Sequence, residues 1–292
     1  LPDLVDTQVI LEDREDLDNP PFQGNDTNTS FNSTTTALQL TNPATNATGE
    51  YEFKDILNLQ GVFSLDLRRV IRSVGFSIGT DIESLIPNDP PELGGPADGG
   101  WDNYATDGNF DGAAANEANC QIQVATSQTG SGSFGPFNNF ANGTYKGHRF
   151  KFRLLLISTS TTQNMNVQEA GYFAEFQSRT EQNYKTGGST STLPQNSGTS
   201  ASGLDVTFAT PFFVGVSGLG GLNQFKPSVG ITIMGAAAGE YFVIKTDSNG
   251  DFLNAAGNIV TGTGFNIKIL DSSNNPVNKK FTFQAVGYGK GV

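Results

Sequence analysis

Apolar and polar side chains alternate along Arg149-Phe150-Lys151-Phe152-Arg153-Leu154-Leu155-Leu156, which places Phe150, Phe152, Leu154 and Leu156 on one face and three cations on the other. Successive side chains of an extended chain point to opposite faces, so a period of two marks a half-buried β-strand. The same period runs through Tyr51-Glu52-Phe53-Lys54 and Val62-Phe63-Ser64-Leu65-Asp66-Leu67. A further strand is predicted over 164–176, where Gly171 is expected to mark a bulge or a sharp bend.

Elsewhere the pattern changes and suggests boundaries. Residues 1–49 are polar and rich in Thr and Asn, which predicts an extended arm whose Val9, Ile10 and Leu11 add one strand to a neighbour. The Asn-x-Ser/Thr triplets at Asn25, Asn28, Asn32 and Asn46 follow from that composition. Residues 50–185 carry the sandwich strands, interrupted over 87–119 by a long loop in which Pro, Gly, Asp and Asn dominate. A Gly/Ser/Thr-rich run over 186–202 is a linker. Over 203–292 short alternating runs return, with Asp271-Ser272-Ser273-Asn274-Asn275-Pro276 as a hairpin turn. The expected fold is therefore all-β: a jelly-roll-like β-sandwich followed by a small antiparallel β-sandwich.

Composition agrees with that picture and removes several functions. Charged residues are 16% and glycine numbers 35, as suits turn-rich β structure. A net charge of -12 with no Lys/Arg-rich run repels phosphate backbones, so nucleic acid is excluded as a partner. No apolar stretch reaches membrane-spanning length, and Leu1-Pro2-Asp3-Leu4-Val5-Asp6 has neither a basic nor an apolar leader region. The start without Met suggests a piece of a longer polypeptide. Cys120, the one cysteine, cannot form an intrachain disulfide; inside Cys120-Gln121-Ile122-Gln123-Val124 it is expected to be a buried thiol.

The chain is not expected to be an enzyme. Its one histidine, His148, would have to serve every triad, there is no Gly-x-Ser-x-Gly elbow, and one His with one Cys cannot build a zinc site. A carboxylate pair for glycoside cleavage is the residual catalytic alternative among 29 acidic residues, without the long repeats of β-helical hydrolases.

Calcium is the candidate cation, because Asp98, Asp102, Asp107 and Asp111 put hard oxygen ligands close together in one loop. Asp247-Ser248-Asn249-Gly250-Asp251 is instead a plain β-turn, since Asn258 stands where a calcium loop needs Glu. No other cofactor is implied. For ligand contact, Trp101, Asp102, Asn103 and Tyr104 set rings beside amides and a carboxylate, as sugar recognition requires; the alternative is that Trp101 anchors its loop on the sandwich. Asn223, Gln224 and Phe225, in a glycine-rich loop, form a second candidate patch.

Three segments together resemble tailed-phage host-specificity proteins of the J type: Gly147-His148-Arg149-Phe150-Lys151-Phe152-Arg153, Asn166-Val167-Gln168-Glu169-Ala170-Gly171 and Ala285-Val286-Gly287-Tyr288-Gly289. The likeness covers Glu50 to the C-terminus and departs at the Asp-rich loop and at Ala170, where the family tends to carry Leu. The last domain is also similar to the H-type lectin sandwich, on Val206-Thr207-Phe208, Phe212, Pro227-Ser228-Val229 and the aromatic strand ending near Gly287.

These resemblances imply a virion protein at the tail tip, a homotrimer among other tail-tip proteins. Its role would be host attachment, by binding a host surface glycan or an outer-membrane receptor through the distal loops of the C-terminal domain. A cellular extracellular lectin or adhesin is the alternative, and a glycan hydrolase a third reading.

Overall fold

Residues 9–77, 117–182, 203–216 and 223–289 are described in the computed structural model. A 3-10 turn at Glu15–Leu17 is the one helical element among them. The strands of the first part are β1 (Val9–Arg14), β2 (Asn25–Thr27), β3 (Thr29–Asn32), β4 (Ala37–Leu40), β5 (Thr48–Glu52), β6 (Leu57–Ser77), β7 (Ala118–Ser127), β8 (Asn138–Asn139), β9 (Gly143–Ser158) and β10 (Gln163–Phe176). The second part holds β11 (Ser178–Gln182), β12 (Leu204–Thr207), β13 (Ser228–Ile233), β14 (Tyr241–Ile244), β15 (Gly264–Leu270) and β16 (Phe281–Tyr288). The chain is all-β, as its alternation predicts, and no helix among the described residues is long and apolar enough to cross a membrane.

The first ten strands form one antiparallel sheet, nearly closed on itself, in the order β2-β5-β9-β6-β10-β4-β3, with β1 added to β10 and β7 joining β8 and β9. β9 shows why. Phe150, Phe152, Leu154 and Leu156 are at most 1% exposed, and the sheet curls until Phe152 stacks on Tyr172 of β10 at 4.1 Å. On the outer face Lys151 pairs with Glu52 and Arg153 with Glu50, each at 2.6 Å. Phe134 lies over Arg149 and Lys151, and Phe137 over Arg153, so rings cover the cations.

Residues 9–49 do not stand apart as an arm in their described part. β1 pairs along β10 from Val9↔Phe176 to Arg14↔Gly171, β2 pairs β5, and β3 with β4 extends the sheet beyond β10. The few apolar residues decide this: Leu11, Phe22, Leu38 and Leu40 enter the core, while the Asn/Thr-rich remainder supplies turns and the outer face. Gly171 marks no bulge. The register shift lies between Val167 and Glu169, and Gly171 is where the β1 backbone crosses so closely that a Cβ would sit 2.2 Å from the Asp13 carbonyl oxygen.

The smaller sandwich packs sheet β11-β16-β13 against sheet β12-β15-β14. It claims β11, so the chain leaves the large sheet at Gln177 rather than at 185; residues 186–202, expected as a linker, lie outside the described residues. Phe208, Phe212, Phe265, Ile267, Ile269, Phe281 and Phe283 fill its core. Phe213 instead enters the larger core, where it stacks on Phe176 at 3.9 Å and 4°.

That stack generates a test. Phe213→Ala is expected to destabilise the chain by about 3–5 kcal/mol. Val74→Ala, at a side chain 54% exposed, is expected to change stability by less than about 0.5 kcal/mol. Equilibrium unfolding in urea measures both.

Candidate functional site

The candidate residues fall differently in space. Trp101, Asp102, Asn103 and Tyr104, with Asp98, Asp107 and Asp111, lie outside the described residues. Asn223 and Gln224 occupy a turn, Asn223 with φ of 61°. Phe225 does not offer its ring to solvent: half-buried, it packs between Phe213 at 6.0 Å and Tyr288 at 6.2 Å. Of that patch only Gln224 is exposed.

The loop from Asp247 to Asp251 is a turn, as its spacing predicts. Asp247 Oδ1 accepts the backbone N–H groups of Asn249 and Asp251. The Lys226 ammonium, 2.9 Å from Asp251 Oδ1 and also donating to the Asn249 carbonyl, supplies the positive charge there. No group of three His, Cys, Asp or Glu side chains placed to hold a metal occurs among the described residues.

The outward face of β11-β16-β13 is chemically distinct. Along β16, Phe281, Phe283, Ala285 and Gly287 are buried, so Thr282, Gln284 and Val286 point out. Register carries this across the sheet: Gln182↔Gln284↔Gly230, Thr282↔Thr232 and Thr180↔Val286↔Ser228. Because Gly230 has no side chain, a hollow of about 340 Å³ opens there, lined by Gln182, Gly230, Ile231, Thr232, Thr282, Phe283 and Gln284. Amides and hydroxyls both donate and accept hydrogen bonds, and none of the lining residues carries a charge. Such a set suits a neutral, hydroxyl-rich ligand lying flat on the sheet.

The charges of β11 are turned the other way. Arg179 lies over the Phe212 ring at 3.8 Å and pairs with Glu181 at 3.2 Å, while Glu181 accepts the Ala209 backbone N–H. Sequence inspection missed this face, because neither Gln284 nor Gly230 stands out until register sets them side by side.

Two groups of carboxylates are the catalytic candidates among the described residues. Asp66 and Glu175 are opposite one another on β6 and β10 and line a cleft of about 160 Å³ with Ser64, Leu65, Thr144 and Gln177. Each is already engaged, Asp66 by the Thr144 hydroxyl at 2.5 Å and Glu175 by Arg68 at 3.2 Å. The second group, around Asp13 and Glu15, is buried: Glu15 is 1% exposed, so a substrate has no approach to its carboxyl. His148 is half-buried beside Gly130, with Nδ1 unpartnered among the described residues and no carboxylate or nucleophile bonded to it.

Comparison with protein-family models, curated proteins and solved structures found no match.

Cys120 pairs with Leu156 inside the sheet, and burial pushes its thiol up to about 12. Only the thiolate reacts, so the native chain is expected to resist a thiol reagent at about pH 8 and to take up one equivalent after unfolding. A thiol titration with and without denaturant checks this.

Proposed function

We propose that this chain is a receptor-binding part of a phage tail tip, which attaches the virion to a neutral host-surface glycan through the outward face of β11-β16-β13. The observation that carries the reading is the uncharged hollow at Gly230, ringed by Gln182, Gln284, Thr232 and Thr282. A chain of net charge -12 is repelled by acidic surfaces, and a face of amides and hydroxyls is where that repulsion interferes least with contact. The segments that carry the phage resemblance support it, since they form regular strand: the middle of β9, the middle of β10 and the end of β16, the last being the central strand of this face.

A single shallow site of this kind binds weakly, and threefold presentation multiplies it without new contacts. The homotrimer belongs to the same reading. Tyr241 and Val243, 40% and 42% exposed on one face of β14, and Met234, 45% exposed in the turn before it, are apolar side chains available for subunit contact. Light scattering of the purified chain is expected to give the mass of three copies.

A glycan hydrolase is the second reading, favoured by the facing pair Asp66 and Glu175. Release of reducing ends from a bound polysaccharide would support it over attachment. A signal peptide in the parent reading frame would favour a cellular adhesin.

The direct test is binding of labelled chain to an array of bacterial surface polysaccharides. A Cβ at Gly230 meets only the Gln284 carbonyl oxygen, at 3.9 Å, so Gly230→Val fills the hollow at little expense to folding. Gly230→Val and Gln284→Ala are each expected to lower binding to the recognised glycan about tenfold or more, a loss of about 1.4 kcal/mol. Trp101→Ala, run beside them, measures what the 98–111 segment contributes. Binding unchanged in Gly230→Val and Gln284→Ala would place the contact elsewhere.

A further inference from the structure

Five carboxylates gather where β1 meets the body of the large sheet. Asp13 is the last residue but one of β1, Glu15 and Asp16 lie in the 3-10 turn, Asp18 follows it, and Asp55 comes from the connection between β5 and β6. Glu15 is held from both sides: Oε2 accepts the Tyr51 hydroxyl of β5, and Oε1 accepts the Lys54 backbone N–H at 3.0 Å. Asp16 accepts the Ala170 backbone N–H of β10.

Asp13 Oδ2 and the Tyr172 hydroxyl are both buried and short of full hydrogen-bond geometry, yet they lie near enough to one another for the hydroxyl to ease the Asp13 charge in part. Tyr172 is 0% exposed and faces Asp13, Asp55 and Glu15.

The surroundings add little positive charge. Arg14, next to Asp13, sends its guanidinium to Glu12 and Glu169 and over the Phe173 ring; its charge eases Asp16, and it reaches Asp13 through its backbone N–H. Lys54 reaches Glu15 through its backbone. β2 brings Asp26 toward Tyr51, and β10 brings Glu169 toward Asp16. A buried carboxylate without a cation is relieved most simply by a proton.

We propose that β1 and the 3-10 turn form a proton-controlled latch, docked firmly on β10 and β5 while the carboxylate cluster holds protons and loosened as the cluster ionises. The electrostatics agree with the geometry. Burial, then the like charges of Asp55 and Asp18, raises Asp13 from 3.8 to about 6. Burial raises Glu15 from 4.5 to about 7, against the opposing hydrogen bond from Tyr51 and with added push from Asp13 and Asp18. Asp16 is raised by burial as well.

A carboxyl that titrates higher when docked keeps the docked form richer in protons between its two values. Docking is therefore strongest below the ordinary values of 3.8 and 4.5, weakens as pH rises through about 6 and about 7, and weakens no further above them. The β1 ladder bonds to β10 are the contacts that open.

Hydrogen exchange on the whole chain tests the latch. After correction for the intrinsic chemical rate, protection of peptides covering 9–18 is expected to fall about tenfold or more between about pH 5 and about pH 8, one decade being the equivalent of a single pKa unit. Peptides from the middle of β9 should keep their protection over the same range. Asp13→Asn and Glu15→Gln, singly and together, should flatten the dependence, because each keeps the shape and removes the ionisation.

Protection of 9–18 that does not change with pH in the wild type would overturn the proposal, whether or not the variants fold. So would an equal fall in the β9 peptides, or an undiminished fall in the variants.

Discussion

Phe212 and Phe213 are neighbours in sequence, and extended backbone sends neighbouring side chains to opposite sides. Here the two sides are different hydrophobic cores. Phe212 packs with Phe208 in the small sandwich, while Phe213 stacks on Phe176 in the large one. Their backbone is pinned on both flanks, Phe212 N–H to the Gly262 carbonyl and Phe213 N–H to the Tyr288 carbonyl, each at 2.8 Å. Neither core can shift against the other without moving this pair. Phe225 and Tyr288 close the seam around it, so Phe225, a candidate contact residue by sequence, is part of the wall.

What could be read from the sequence was whatever is written locally. The alternation in β9 placed four buried side chains and three outer cations correctly, because a strand buried on one face imposes its period on its own residues. The described part of 1–49 was hidden for the opposite reason. Its strands run three to six residues and take their stability from partners far along the chain, as when β1 meets β10. Gly171 was recognisable as special, but whether a glycine bends a strand or admits another backbone depends on what crosses it. The hollow at Gly230 was invisible because it belongs to three strands at once. The Asp/Glu-rich stretch from Asp13 to Asp18 carries no apolar period of its own, and only packing shows that Glu15 is enclosed.

The cations explain how an acidic chain keeps one neutral face. Arg149, Lys151 and Arg153 are covered by rings and cross-strand carboxylates, and Lys226 is committed to the turn at Asp251. On β11 the period of two sends Arg179 toward the Phe212 ring and leaves Thr180 and Gln182 outward. Neutrality of the outer face follows from alternation in one five-residue strand together with the residues that β16 and β13 set beside it.

The middle strand of that face is β16, which joins β11 from about a hundred residues further along the chain. During synthesis β11 emerges early and waits with its edge unpaired until Tyr288 has left the ribosome, so the face assembles last and all at once. A translation product that stops short of β16 could complete most of the large sheet, yet it would leave Phe212 and Phe213 without their closing strand and the β11-β16-β13 face unformed. The arrangement thus ties the neutral face to late synthesis: a copy that presents it has been translated through Tyr288, and a copy that stops earlier displays β11 as a bare edge instead.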